Sequence, residues 1–160
     1  MQSTQTPRTP AQMFAAVAGI FLLALGVLSL IFTDSAFSTV GGTTPGDFLI
    51  WNTTGWTAVM WIVLGAAGVL SMARVPAARA YALVAGAFFA VIAIWGFIDS
   101  EDVVTLFVAN PVNNITHAVI ACLGLAFGTP SQTAQRRAAA GERDARFTAQ
   151  HPGSGSAGHA

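Results

Sequence analysis

The chain has 160 residues, of which 54% are hydrophobic and 9% charged, and its seven basic and seven acidic residues leave no net charge. Soluble domains carry about 25% charged residues, so this composition, with a mean hydropathy of +0.62, excludes an ordinary water-soluble domain. It points to the lipid bilayer as the solvent and gives nucleic acid no place among the partners.

Four apolar stretches predict transmembrane helices at about 12–32, 56–73, 78–98 and 112–127. A hydrocarbon core about 30 Å thick takes about 20 apolar residues per crossing, and apart from Arg79 the four hold no Asp, Glu, Lys or Arg. The first stretch is too long for a signal-peptide core and lacks a small-x-small cleavage site, so it reads as a retained helix. The second connection places Arg74 and Arg79 at one membrane face, with Arg8 before the first stretch and Arg136, Arg137, Arg143 and Arg146 after the fourth. The other two connections carry Asp34, Asp47, Asp99, Glu101 and Asp102 and no basic residue. Positive-inside bias then predicts a cell-membrane, multi-pass protein with both termini cytoplasmic. The domains are an N-terminal segment 1–11, a four-span membrane domain 12–128 and a largely disordered cytoplasmic tail 129–160, with at most a short helix between Gln132 and Gln150.

Trp51, Trp56, Trp61 and Trp95 are expected as belt residues near the outer interface and Tyr81 at the inner one. Cys122, the lone cysteine, is expected to be a small packing residue. Asp99, Ser100, Glu101 and Asp102 read as the cap and acidic first turn of a short helix through Val108.

Span three laid on span one at an offset of 67 matches Ala11 with Ala78, Ala15 with Ala82, Val17 with Val84, Ala18 with Ala85, Gly19 with Gly86 and Phe21 with Phe88. Spans two and four align at 59, pairing Thr57 with Thr116, Leu64 with Leu123 and Gly65 with Gly124. The fold class this predicts is all-α: an integral membrane four-helix bundle made of two helical hairpins in a parallel repeat, related by an axis along the membrane normal. Gly19, Gly86, Gly124 and Gly128 are the helix-packing residues, since small residues four apart let backbones approach closely. Gly124 and Gly128 are assigned to packing within the chain rather than to a dimer seam.

Asn110 caps span four and Pro111 suits its first position. Asn113 and His117 then share the inward face with Ala121, Gly124 and Gly128. Polar groups within a membrane are costly and mark candidate sites, which singles out His117, Asn113, Asn110 and Asn114. A structural role for His117, hydrogen-bonded to Asn113, Thr57 or a loop carbonyl, is preferred to proton transfer or ligand binding. No cofactor or metal is expected, because the first-half equivalent of His117 at the 59-residue offset is Ala58 and no second histidine or carboxylate lies within a span.

The pieces Arg8-Thr9-Pro10-Ala11-Gln12, Ala78-Arg79-Ala80-Tyr81-Ala82-Leu83, Trp95-Gly96-Phe97-Ile98 and Asn110-Pro111-Val112-Asn113-Asn114-Ile115-Thr116-His117 resemble an actinobacterial family of small four-helix membrane proteins, domain of unknown function 4383. The resemblance runs from about Arg8 to Gly128 and implies the fold. The family often carries an Asn and His element in its first half as well; here that place reads Asn52-Thr53-Thr54-Gly55-Trp56. Without nucleophile, carboxylate pair or metal cluster, no enzyme is expected. The sequence reads as a structural or accessory component of a bacterial cytoplasmic membrane, with partners limited to lipid, further copies of itself or other membrane proteins. The alternatives are a small oligomeric permease or channel and a redox or quinone-handling protein using His117.

Overall fold

A computed structural model describes residues 7–32, 37, 46–98, 102–103, 107–108, 110–129 and 132–150. Asp34, the cluster Asp99, Ser100 and Glu101, and the chain end with His151 and His159 lie outside them. Five helices and two short antiparallel ribbons follow in the order α1 (Pro10–Phe32), β1 (Gly46–Phe48), β2 (Trp51–Thr53), α2 (Gly55–Ser71), α3 (Val75–Ile98), β3 (Asp102–Val103), β4 (Phe107–Val108), α4 (Pro111–Gly128) and α5 (Gln132–Gln150). Helices α1, α3 and α4 are long and apolar enough to cross a membrane, and α2 is an apolar helix of 17 residues, roughly 26 Å long at 1.5 Å per residue.

Local chemistry explains where the helices begin. Thr9 and Gln12 form a capping box around Pro10: the Thr9 N–H donates to Gln12 Oε1 at 3.1 Å and the Gln12 N–H donates to Thr9 Oγ1 at 3.3 Å. Thr54 caps α2 by accepting from the Thr57 N–H at 3.2 Å, and Asn110 caps α4 by accepting from the Asn113 N–H at 2.8 Å. At the far end of α2, Gln12 Nε2 donates to Met72 O at 3.0 Å, satisfying one of the carbonyls a helix terminus leaves open.

The segments before α2 and α4 are ribbons. Strand β1 pairs with β2, with Gly46 opposite Thr53 and Phe48 opposite Trp51. The Leu49-Ile50 turn between them holds Leu49 at φ 56. Strand β3 pairs with β4, with Asp102 opposite Val108 and Val103 opposite Phe107. This corrects the short helix expected through Val108: Val103, Phe107 and Val108 are β-branched or aromatic residues that favour a pleated strand. Strand β2 touches α4, β4 touches α2, and β2 and β4 touch each other.

Helix α1 packs chiefly on α2, and α3 chiefly on α4. Both seams run at backbone contact. A Cβ on Gly19 would lie 2.7 Å from Val69 N, 2.9 Å from Gly68 C and 3.0 Å from Gly65 O; one on Gly86 would lie 2.8 Å from Leu125 N, 3.1 Å from Gly124 C and 3.2 Å from Ala121 O. From the other side, a Cβ on Gly68 would meet Gly19 Cα and Tyr81 Cζ, both at 2.8 Å. One on Gly124 would meet Gly86 Cα at 2.9 Å and Phe14 Cζ at 3.1 Å. Gly128 packs on Leu83 of α3. The matching contacts correspond at an offset of 67 between α1 and α3, as the identities indicate, but at 56 between α2 and α4. The 59-residue offset is therefore corrected by three residues, close to one helical turn.

Three expected side-chain positions are corrected as well. Trp61 is 1% exposed and belongs to the core with Leu22 and Phe89, because it follows Thr57 and Ala58 on the face of α2 that meets small residues of α1. Tyr81 is buried against Phe14, ring centroids 6.2 Å apart. Cys122 is exposed on α4, one residue past the buried Ala121. Trp56 and Trp95 are about half exposed, as belt residues would be.

Residues Pro130–Ala160 form a second compact unit, distinct from Met1–Thr129. Helix α5 within it occupies all of the range where at most a short helix was expected. It is exposed from Ala139 to Gln150, with Arg146 Nη2 2.5 Å from Glu142 Oε1 one turn away.

Substituting leucine at Gly19 or Gly86 forces a side chain into opposing backbone and should destabilise the folded chain by about 3 kcal/mol, at the upper end of overpacking costs. Reversible unfolding in mixed detergent micelles measures it. Gly141 has no heavy atom within 4 Å of where its Cβ would stand. Gly141→Ala should therefore raise the helicity of α5 by circular dichroism, with a gain of about 1 kcal/mol.

Candidate functional site

The N-terminal half of α4 gathers three buried polar side chains, Asn113, Asn114 and His117. Period and cap together put them there: once Asn110 starts the helix, positions 113, 114, 117, 120, 121, 124 and 128 all fall on its buried face. Asn113 is 1% exposed, His117 2% and Asn114 5%; Asn110 is half-buried at the cap.

Each polar group has a different role. Asn114 Nδ2 donates to Gly96 O at 2.7 Å. Gly96 lies in the last turn of α3, whose carbonyls have no partner within the helix, so the amide caps α3 from a neighbouring helix. The absence of a side chain at residue 96 permits it, since a Cβ there would run into the Asn114 amide. Thr116 donates to Val112 O at 2.8 Å and accepts from Trp51 Nε1 at 3.2 Å, tying β2 to α4.

His117 differs from all of these. Its ring stacks on Phe89, centroids 5.1 Å apart and planes 28° from parallel. Neither Nδ1 nor Nε2 has a hydrogen-bond partner among the described residues. The expected bond to Asn113, Thr57 or a loop carbonyl is therefore not formed there, and Thr57 pairs with Thr54 instead, Oγ1 to Oγ1 at 3.1 Å. At the 56-residue offset the counterpart of His117 is Trp61, not Ala58.

Between α1 and α4 runs an apolar cleft of about 540 Å³, lined by Phe14, Val17 and Phe21 on one side and Ile115, Val119 and Leu123 on the other, with Thr116 as its polar member. Among the described residues no three of His, Cys, Asp and Glu converge as a metal would need.

Helical period placed Asn113 and His117 inward, while Asn114 was singled out only as a polar group within the span. Gly65 and Gly68, the α2 side of the first seam, were not among the expected packing residues, being three apart where Gly124 and Gly128 are four apart. Nor was Gly96 expected as a partner of Asn114, a contact that no periodicity reports.

Asn114→Ala removes the side-chain donor to the Gly96 carbonyl, a helix-end acceptor in a buried setting. It should cost about 1–3 kcal/mol, read as a fall in the denaturation midpoint. Asn110→Ala should cost about 1 kcal/mol, with Asn110→Ser restoring most of it.

Searches of curated proteins and of solved structures each returned no match. One family model does match, over residues 12–130, which takes in all four apolar helices, both ribbons and the α4 polar cluster. Because the match covers most of the chain and the whole of the packed helical unit, the protein belongs to the family described as Domain of unknown function (DUF4383).

Proposed function

We propose that the chain is a four-crossing helical bundle of two hairpins in a parallel repeat, serving as a non-enzymatic structural or accessory component of a bacterial cytoplasmic membrane. The observation that carries this reading is the pair of glycine seams. Gly19 against Gly65 and Gly68, and Gly86 against Ala121 and Gly124, bring backbones together at about 3 Å from a notional Cβ. Helices so close leave no lumen along either seam, and among the described residues no three of His, Cys, Asp and Glu converge beside them.

The repeat is supported atom by atom: Val69, Gly68 and Gly65 stand to Gly19 as Leu125, Gly124 and Ala121 stand to Gly86. Across the centre, Tyr81 covers Gly68 as Phe14 covers Gly124. Phe14 and Tyr81 are themselves 67 residues apart, so the two hairpins exchange equivalent aromatic rings. An approximate two-fold axis along the membrane normal generates this arrangement.

Four crossings follow if α2 spans with help from the β1–β2 ribbon before it, as α4 does with β3–β4. The arginines then favour both termini in the cytoplasm, with residues 1–11 and 129–160 inside. The ribbons at corresponding places in the two halves also favour a second reading, a small permease or channel, whose path would have to form between copies because each chain is closed along its seams.

In a Cys122→Ala background, a cysteine at Ala73 should react with a membrane-impermeant maleimide only after permeabilisation, and one at Leu49 should react in intact cells. The reverse pattern overturns the orientation. Proteoliposomes holding the purified chain should conduct ions and small solutes no faster than empty vesicles. Flux that His117→Ala abolishes without loss of fold would favour the permease.

A further inference from the structure

We infer that His117 is a ligand-binding position within the membrane, where the imidazole holds a small hydroxyl-bearing guest that accepts one hydrogen bond and donates another. The first ground is the side chain itself. It is 2% exposed, and both ring nitrogens lack a partner among the described residues. A neutral imidazole has one donor and one acceptor, and buried polar groups in native structures are almost always satisfied.

The second ground is the comparison between hairpins. Counterparts at the 56-residue offset are Thr57 and Asn113, Ala58 and Asn114, Trp61 and His117. Trp61 and His117 both lie six residues past the first residue of their helix, at 1% and 2% exposure. Their α1 and α3 neighbours correspond too, Leu22 in the Trp61 core and Phe89 stacked on His117. The first hairpin therefore fills this position with an indole, whose own N–H is unpartnered. The second fills it with a smaller ring bearing two nitrogens. Of the polar groups that distinguish the second hairpin, the Asn114 amide serves Gly96, and Asn113, whose backbone N–H donates to Asn110 Oδ1, has a further interaction of its own. The imidazole is the side chain with both of its polar atoms buried and unpartnered among the described residues.

The chemistry of the guest follows from what surrounds the ring. No carboxylate lies in any of the four apolar helices and no metal-ligand group converges there, which disfavours a cation. The arginines of the described membrane unit, Arg8, Arg74 and Arg79, lie at the helix ends far from residue 117 in sequence register, which disfavours an anion. A neutral group that both donates and accepts is a hydroxyl. It can come from water or from an alcohol dissolved in the bilayer; the cleft lined by Ile115, Thr116, Val119 and Ile120 takes in the residues of α4 on either side of His117, which does not itself line it.

The test uses the full chain with His151→Gln and His159→Gln, so that His117 is the sole imidazole, ¹⁵N-labelled at histidine and ¹³C-labelled at phenylalanine in lipid bilayers. Magic-angle-spinning spectra should show both nitrogens at hydrogen-bonded shifts. Polarisation should pass to them and to the Phe89 ring either from water, which identifies water as guest, or from added 1-octanol, which identifies a membrane alcohol. His117→Phe keeps a ring against Phe89 and should fold while losing the transfer to Phe89. Nitrogens at free shifts with no transfer from either source overturn the proposal, as does transfer to Phe89 that persists in folded His117→Phe.

Discussion

Everything in the membrane unit depends on how closely two backbones can approach where glycine faces glycine. In lipid there is no hydrophobic drive to press helices together, so association rests on van der Waals packing, interhelical hydrogen bonds and lipid release. Gly19, Gly65 and Gly68 in one hairpin, and Gly86 and Gly124 in the other, convert missing side chains into long strips of contact. In the first seam depth is fixed along with rotation, because a slip of one turn would set Leu23 in the place Gly19 now occupies.

The polar groups at helix ends work within that frame. Gln12 serves a carbonyl at the end of α2, and Asn114 serves one at the end of α3. Both are side-chain amides reaching from one helix to another's open terminus, where an unsatisfied carbonyl in lipid is costly. The ribbons add a cross-tie, with the Trp51 indole held by Thr116 of the opposite hairpin. Equivalent scaffolds thus support unequal side chains, and the inequality concentrates at Asn113, Asn114 and His117. Packing that tolerates either an indole or an imidazole at one position leaves that position open to specialisation, whereas the seam positions stay small, with Gly65 matched by Ala121 and Gly68 by Gly124.

Much was legible from local signals alone. Apolar runs marked the four apolar helices to within a few residues, since hydropathy and length need no tertiary knowledge. Asn110-Pro111 marked the start of α4 because capping is chemistry within four residues, and Thr9-Pro10-Ala11-Gln12 carries the same kind of local signal for α1, where the span was expected to begin at Gln12. The 3.6-residue period turned Asn113 and His117 inward, and the 67-residue offset between α1 and α3 relates Gly19 to Gly86, which make matching contacts.

What only the tertiary structure decided were matters of long-range register. In a chain rich in Ala and Gly, residue identities score nearly alike one turn apart, so 59 and 56 could not be told from each other until backbone contacts separated them. That choice alone makes Trp61 the counterpart of His117. Burial of Trp61 and Tyr81, exposure of Cys122, the grip of Asn114 on Gly96 and the lack of a described partner for His117 depend on which surfaces meet. Periodicity gives a helix its faces; only the neighbour's backbone determines what each face touches.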